Sequence, residues 1–218
     1  MKQAHSQAKV GGAKRFVGKF PSLRLNTLIR YESLIERDFL YLLEFDHNDV
    51  VSFQTRPYTI FYTVGDKRLR FIPTIGVVRQ HKKQLVEVTS AQRAATETNQ
   101  LRYRIAGQMC EREGYEFVVV TDEMIRQPRR LNNVKLLIRY QRVSISPQHQ
   151  ILCRELFGGQ PEAALDDVFG YFADRNVDKP TVYALLRWGV LDIDLAQPIA
   201  SDSLVRLPVA SLAERRAS

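Results

Sequence analysis

The chain has 218 residues, 44% of them apolar, and a formal net charge of +8. That length suits one medium domain plus a small one. Its longest apolar runs, such as Phe117-Val118-Val119-Val120, are of strand length and too short to span a membrane as a helix.

Residues 1–20 are polar, basic and Gly-containing, and residues 1–17 are assigned to a flexible basic arm. Across residues 33–45, Leu34, Ile35, Phe39, Leu42 and Leu43 recur at helical spacing. Ser33 is the expected N-cap, with Glu36 completing a capping box. Strands are predicted over Val50–Gln54, Pro57–Val64 and Arg68–Ile72, the last two joined by a Gly65-Asp66-Lys67 turn. Ile75–Arg79 and Leu85–Thr89 predict a further hairpin across His81-Lys82-Lys83-Gln84. One long helix is expected over about 91–112, stopped by Gly114. Tyr115–Val120 is continuously apolar, a strand expected to be covered on both faces. Residues 121–126 and 131–142 predict helices broken by Pro128. Helix, antiparallel strands, helix, buried strand and helix make an α/β layer domain with a mixed sheet flanked by helices.

A boundary is expected at 144/145, in Ser144-Ile145-Ser146-Pro147. Beyond it come helices over about 147–157, 161–173 and 178–188, and strands over Val190–Asp194 and Ser203–Leu207. Three helices and a hairpin in so short a stretch describe a small winged helix over 145–208, with a tail over 209–218. No internal repeat is present.

Charge is unevenly placed. Residues 1–30 hold seven Lys or Arg and no acid, and residues 126–142 hold six and no acid. Residues 145–218 hold seven basic and ten acidic residues, so the first 144 carry +11. Clustered positive charge points to a polyanion, above all DNA, with Lys14, Arg15, Lys19, Arg24, Arg126, Arg129, Arg130, Lys135 and Arg139 as expected contacts. The alternative is a solvated basic surface. The acidity of 145–218 favours protein docking there over DNA reading. Cys110 and Cys153 stand far apart, no metal-ligand spacing links the histidines at 5, 47, 81 and 149, and the N-terminus shows no apolar leader. A cytoplasmic protein with two reduced thiols is expected.

Glu87 and Thr89 are two apart on one strand and share a face, while Val86 and Val88 point into the core. Pro73-Thr74 precedes the neighbouring strand. Many nucleases with a restriction-endonuclease-like core place Asp at the first of these positions and Glu-X-Lys on the second strand. The carboxylates hold Mg²⁺ and the lysine assists the attacking water. Here threonine stands at both departing positions, 74 and 89. An alternating strand that is merely half exposed is the more common explanation for Glu87, and helix capping accounts for Glu36.

Gly18-Lys19-Phe20-Pro21-Ser22-Leu23, Tyr31-Glu32-Ser33-Leu34-Ile35-Glu36-Arg37-Asp38-Phe39, Leu42-Leu43-Glu44-Phe45-Asp46 and Val50-Val51-Ser52-Phe53-Gln54 occur in that order. They resemble the TnsA family, endonuclease subunits of heteromeric cut-and-paste transposases. Val182-Tyr183-Ala184-Leu185-Leu186-Arg187-Trp188-Gly189-Val190-Leu191 resembles the family's C-terminal module, and the likeness spans about 18–208. It implies a restriction-endonuclease-like domain over 18–144 that cuts the 5′ strands at transposon ends with Mg²⁺. It implies a DDE-type transposase as partner and an AAA-type ATPase regulator docking on 145–208. Carried over, Glu36 and Glu87 keep the catalytic and metal-binding positions, while Thr74 and Thr89 replace the family's Asp and Lys. Each such loss typically costs about 10²–10³ in rate. The expectation is therefore a subunit that binds double-stranded DNA and its partners but cuts little or not at all. Two alternatives stay open. One is an active endonuclease whose site is rescued by Lys82, Lys83 or Arg93 as cation and Asp66 or Glu97 as carboxylate. The other is a regulator that binds DNA through the winged helix.

Overall fold

The computed structural model describes Lys2–Gln3 and residues 16–208. Lys14 and Arg15, most of the expected arm and the tail 209–218 lie outside the described residues. The chain divides by its contacts into two compact units, Met1–Gln127 and Pro128–Ser218.

The first unit runs β1 (Lys2–Gln3), β2 (Gly18–Ser22), β3 (Thr27–Tyr31), α1 (Leu34–Phe45), β4 (Val50–Thr55), β5 (Tyr58–Val64), β6 (Lys67–Phe71), β7 (Ile75–Arg79), β8 (Lys83–Thr89), α2 (Ala91–Ala94), α3 (Glu97–Arg112), β9 (Glu116–Thr121) and α4 (Asp122–Ile125). It is mixed α/β. A four-stranded sheet in the order β4-β7-β8-β9 forms its centre. β4, β7 and β8 pair antiparallel, and β9 joins β8 in parallel with Glu87 opposite Val119 and Thr89 opposite Thr121. A parallel neighbour needs a long crossover, which α2 and α3 provide.

Alternation along these strands sorts the core into two clusters. Val86, Val88, Val118 and Val120 turn toward Phe39, Leu40 and Leu43 of α1. Leu85, Phe117 and Val119 turn the other way, toward Tyr103, Ala106 and Cys110 of α3 and Ile60 and Phe71 of the β5–β6 hairpin. β9 is thus covered on both faces as its apolar run suggests, although Phe117 to Val120 are each only half buried. Burial pushes the Cys110 thiol up to about 11 and the Cys153 thiol up to about 12, so both stay protonated at neutral pH.

Residues 18–31, for which no strand was expected, form a β2–β3 hairpin in which Phe20 faces Ile29. The buried Glu44 of α1 holds its turn. Ser22 Oγ donates to Glu44 Oε2 at 2.7 Å, and the Leu23 and Arg24 amides donate to Oε1 at 2.9 and 3.1 Å. The helix expected over 91–112 is interrupted at Ala95-Thr96, where Thr96 becomes the N-cap residue of α3.

The second unit runs α5 (Pro128–Ile138), α6 (Pro147–Leu156), β10 (Glu162–Ala164), α7 (Leu165–Ala173), α8 (Lys179–Arg187), β11 (Asp192–Ile193) and β12 (Leu204–Arg206). Its small sheet is antiparallel in the order β10-β12-β11. β10 replaces the start of the helix expected from 161. Pro128, expected as a breaker, opens α5, where a missing N–H costs nothing. The division between units falls upstream of 144/145 because α5 packs on α8. The Asn133 amide donates to Leu195 O and Gln197 O at 3.0 and 2.6 Å, and Tyr140 stacks on Tyr183 at 4.7 Å. Among the described residues no helix is long and apolar enough to cross a membrane.

Glu44→Gln keeps the shape of the hairpin clamp but removes its charge and one acceptor. The expected loss is about 1–3 kcal/mol of stability, read by urea unfolding.

Candidate functional site

Four positions drawn from three separate stretches of chain meet at one end of the central sheet. Glu36 comes from the first turn of α1, Thr74 from just before β7, and Glu87 and Thr89 from β8. All four line an open cavity of about 720 Å³, together with Glu32, Arg56, Ser90, Arg93 and Arg126. The β8 pleat puts Glu87 and Thr89 on the α3 side, and α1 begins where its capping residue Ser33 accepts from the Glu36 amide at 3.1 Å. The expected capping box closes differently. The Glu36 carboxylate accepts from the amide of Glu32 at 2.9 Å, one residue beyond the N-cap.

Thr74 and Glu87 form a hydrogen-bonded relay. The Val88 amide donates to Thr74 Oγ1 at 3.0 Å, and Thr74 Oγ1 donates to Glu87 Oε2 at 2.8 Å. Burial raises the Glu87 carboxyl above the ordinary glutamate value. The Thr74 bond and the Arg102 charge pull it back, and the negative Glu36 pushes it further up. Thr89 is buried and its side chain lowers the Tyr103 hydroxyl of α3, which is raised on balance, first by burial and then by the Glu87 charge.

Glu36 is 7% exposed and does not stand alone. Arg56 Nη2 donates to its Oε1 at 3.2 Å and Oε2 at 3.3 Å, and lies 3.1 Å from Glu32 Oε2. Asp38, also buried, pairs with Arg126 Nε at 2.9 Å. The residues present do not fit a Mg²⁺ ion. That ion wants several hard anionic oxygens in octahedral array, and both Glu36 oxygens already face a guanidinium while one Glu87 oxygen accepts from Thr74. Among the described residues no group of three or more His, Cys, Asp or Glu side chains is gathered to hold a metal.

Of the side chains weighed as rescuers, Arg93 lines the cavity. Lys82 pairs with Glu116 at 3.0 Å, and Asp66 sits in the β5–β6 turn. Lys83 and Glu97 are not among the lining residues.

The expected DNA contacts scatter. Arg126 lines the cavity, tied to Asp38. Lys19 is exposed on β2 with Arg30 opposite it on β3. Arg24 is spent inside the fold, with one guanidinium nitrogen donating to Val50 O and another to Glu44 O. Arg129, Arg130, Lys135 and Arg139 belong to the second unit, where Arg129 donates to Gln197 at 2.7 Å and Arg130 and Arg139 are exposed. Sequence reasoning passed over Arg56, hidden by the extended preference of a residue before proline. It also passed over Lys67, Arg68 and Arg70, which are exposed on β6 and form no ion pair with a described residue. Arg68 lies 5.2 Å from the ring of exposed Phe61.

A carboxyl with a raised folded value holds more protons in the folded chain than in the unfolded one. Stability therefore falls as pH climbs from the ordinary glutamate value through the raised one. Glu87→Gln, whose amide oxygen still accepts from Thr74, removes that decline. Urea melts across pH are expected to show no advantage for the variant in acid and a growing one through that interval. Parallel curves for the two proteins would refute the assignment. Compared with known proteins, the chain matches no family model and no curated protein.

Proposed function

We propose that the chain is a TnsA-like subunit of a heteromeric DNA transposase, one that binds transposon-end DNA and partner proteins in the cytoplasm without cutting. The observation that carries this is convergence. Positions 36, 74, 87 and 89, singled out from the sequence and spread over more than fifty residues, line a single cavity at the end of a mixed sheet. The site they form has two hydroxyls where a nuclease needs Asp and Lys, and an arginine pair where it needs metal. In this reading the first unit is a restriction-endonuclease-like domain. The second is a winged helix, supported by its order α6-β10-α7-α8-β11-β12 and the β10-β12-β11 sheet. A DDE-type transposase cuts and joins the 3′ ends, and an AAA-type ATPase docks on the second unit.

One observation favours a second reading, a DNA-binding regulator. Because α5 belongs to the second unit, that unit holds twelve basic and ten acidic residues rather than the acidic balance of 145–218.

End-labelled duplex DNA and supercoiled plasmid, incubated with the full chain in Mg²⁺ or Mn²⁺, with and without the partner transposase, test the proposal. Binding without nicking is expected. Nicking that disappears in Glu87→Ala would overturn it. Replacing Lys67, Arg68 and Arg70 together by Glu should weaken DNA binding and flatten its logarithmic salt slope by about 2–3, since each phosphate contact contributes roughly 0.9. The same loss on replacing Arg130 and Arg139 instead would move the interface to the second unit and favour the regulator.

A further inference from the structure

Three carboxylates, Glu32, Glu36 and Glu87, are among the residues lining the cavity, although as they stand they do not form a metal-holding cluster. Acids removed from water need a counter-charge, and leaving them without one is costly. A divalent ion or a basic side chain can supply it. Here Arg56 Nη2 sits between Glu32 and Glu36, within 3.3 Å of oxygens from both, while Nη1 is buried without a hydrogen-bond partner.

The backbone makes a special effort to place this side chain. Arg56 has φ of 51°, in the left-handed region, although it directly precedes Pro57. Both features are unfavourable for a residue with a side chain, and such strain persists only where the surroundings over-determine it. Its amide donates to Thr74 O at 2.9 Å, so Thr74 anchors the arginine's main chain.

We infer that Arg56 is the built-in cation of the Glu32–Glu36 pair in this cavity, a guanidinium that occupies carboxylates which, without it, would be open to a divalent metal. The inference stands on geometry alone and does not depend on the transposase reading. A guanidinium is permanently charged, cannot be chelated away, and cannot ionise a bound water as a metal does. It fixes the shape of the cavity and its charge while withholding hydrolytic chemistry.

The test compares the full chain with Arg56→Gln, Arg56→Lys and the triple variant Glu32→Gln/Glu36→Gln/Arg56→Gln. Melting temperature is read in EDTA and in millimolar Mn²⁺, and bound Mn²⁺ is counted by electron paramagnetic resonance. The parent is expected to bind no Mn²⁺ in the cavity and to melt alike in both buffers. Arg56→Gln should melt lower in EDTA by roughly 10 °C, bind Mn²⁺ and recover part of the loss. Arg56→Lys, which keeps a cation, should stay indifferent to Mn²⁺. The triple variant should melt above Arg56→Gln in EDTA and bind no Mn²⁺. Mn²⁺ binding by the parent that is lost in Glu36→Gln would overturn the inference. So would an Arg56→Gln protein that folds but ignores Mn²⁺. Should Arg56→Gln not fold in EDTA, a triple variant that also fails to fold overturns it, and one that folds supports it.

Discussion

The period-two alternation of β8 is the constraint on which the first unit depends. Val86 and Val88 must enter the α1 cluster and Leu85 the α3 cluster, because a strand inside a sheet has two faces and both are covered. A slip of one residue would bury Glu87 among valines. With the register held by β7 on one side and β9 on the other, Glu87 and Thr89 emerge where the sheet ends and α1 begins. The meeting of Glu36 with Thr74 and Glu87 is thus a consequence of core packing. The cavity can keep its geometry even when the side chains that line it change their chemistry.

Charge neutralisation is the second theme. Buried or half-buried acids in the first unit are answered individually: Glu36 by Arg56, Asp38 by Arg126, Glu87 by the Thr74 hydroxyl, and Glu44 by a serine and two backbone amides. An excess of positive charge in the sequence is therefore not the same as an excess available to DNA. Arg24 and Arg56 are largely spent inside the fold, and Arg126, although exposed, is tied to Asp38. Exposed cations lie on β2–β3 and β6 and on α5 of the second unit, and also at positions such as Lys83, Arg93 and Arg104.

Much of this fold was legible beforehand, and the failures have physical causes. β7 was placed residue for residue, because Ile75 and Val77 alternate between clear turn signals. The β2–β3 hairpin went unread because Gly18 and Pro21 argue against a strand, and only pairing with β3 and the Glu44 clamp make one. β10 is three residues long and buries only Ala163, too little pattern to detect. The candidate site was legible in its four named positions, each sitting at a strand or helix end. Arg56 was not, since its partner Glu36 lies twenty residues away and its left-handed backbone contradicts the local preference of a residue before proline.

The presence of Arg56 changes what the two threonines mean. Under the proposed reading, if 74 and 89 were the only departures, Asp and Lys there would rebuild a metal site on an intact frame. With a guanidinium already bridging Glu32 and Glu36, a carboxylate at 74 would meet a cation whose amide is bonded to that residue's own carbonyl. It would strengthen the arginine's hold at least as readily as it recruited Mg²⁺. A lysine at 89 would take a buried position and would enter a cavity that already holds three arginines. The site is thus consistent as it stands, hydroxyls and guanidinium together. Giving it metal chemistry would require removing the arginine as well as replacing the threonines.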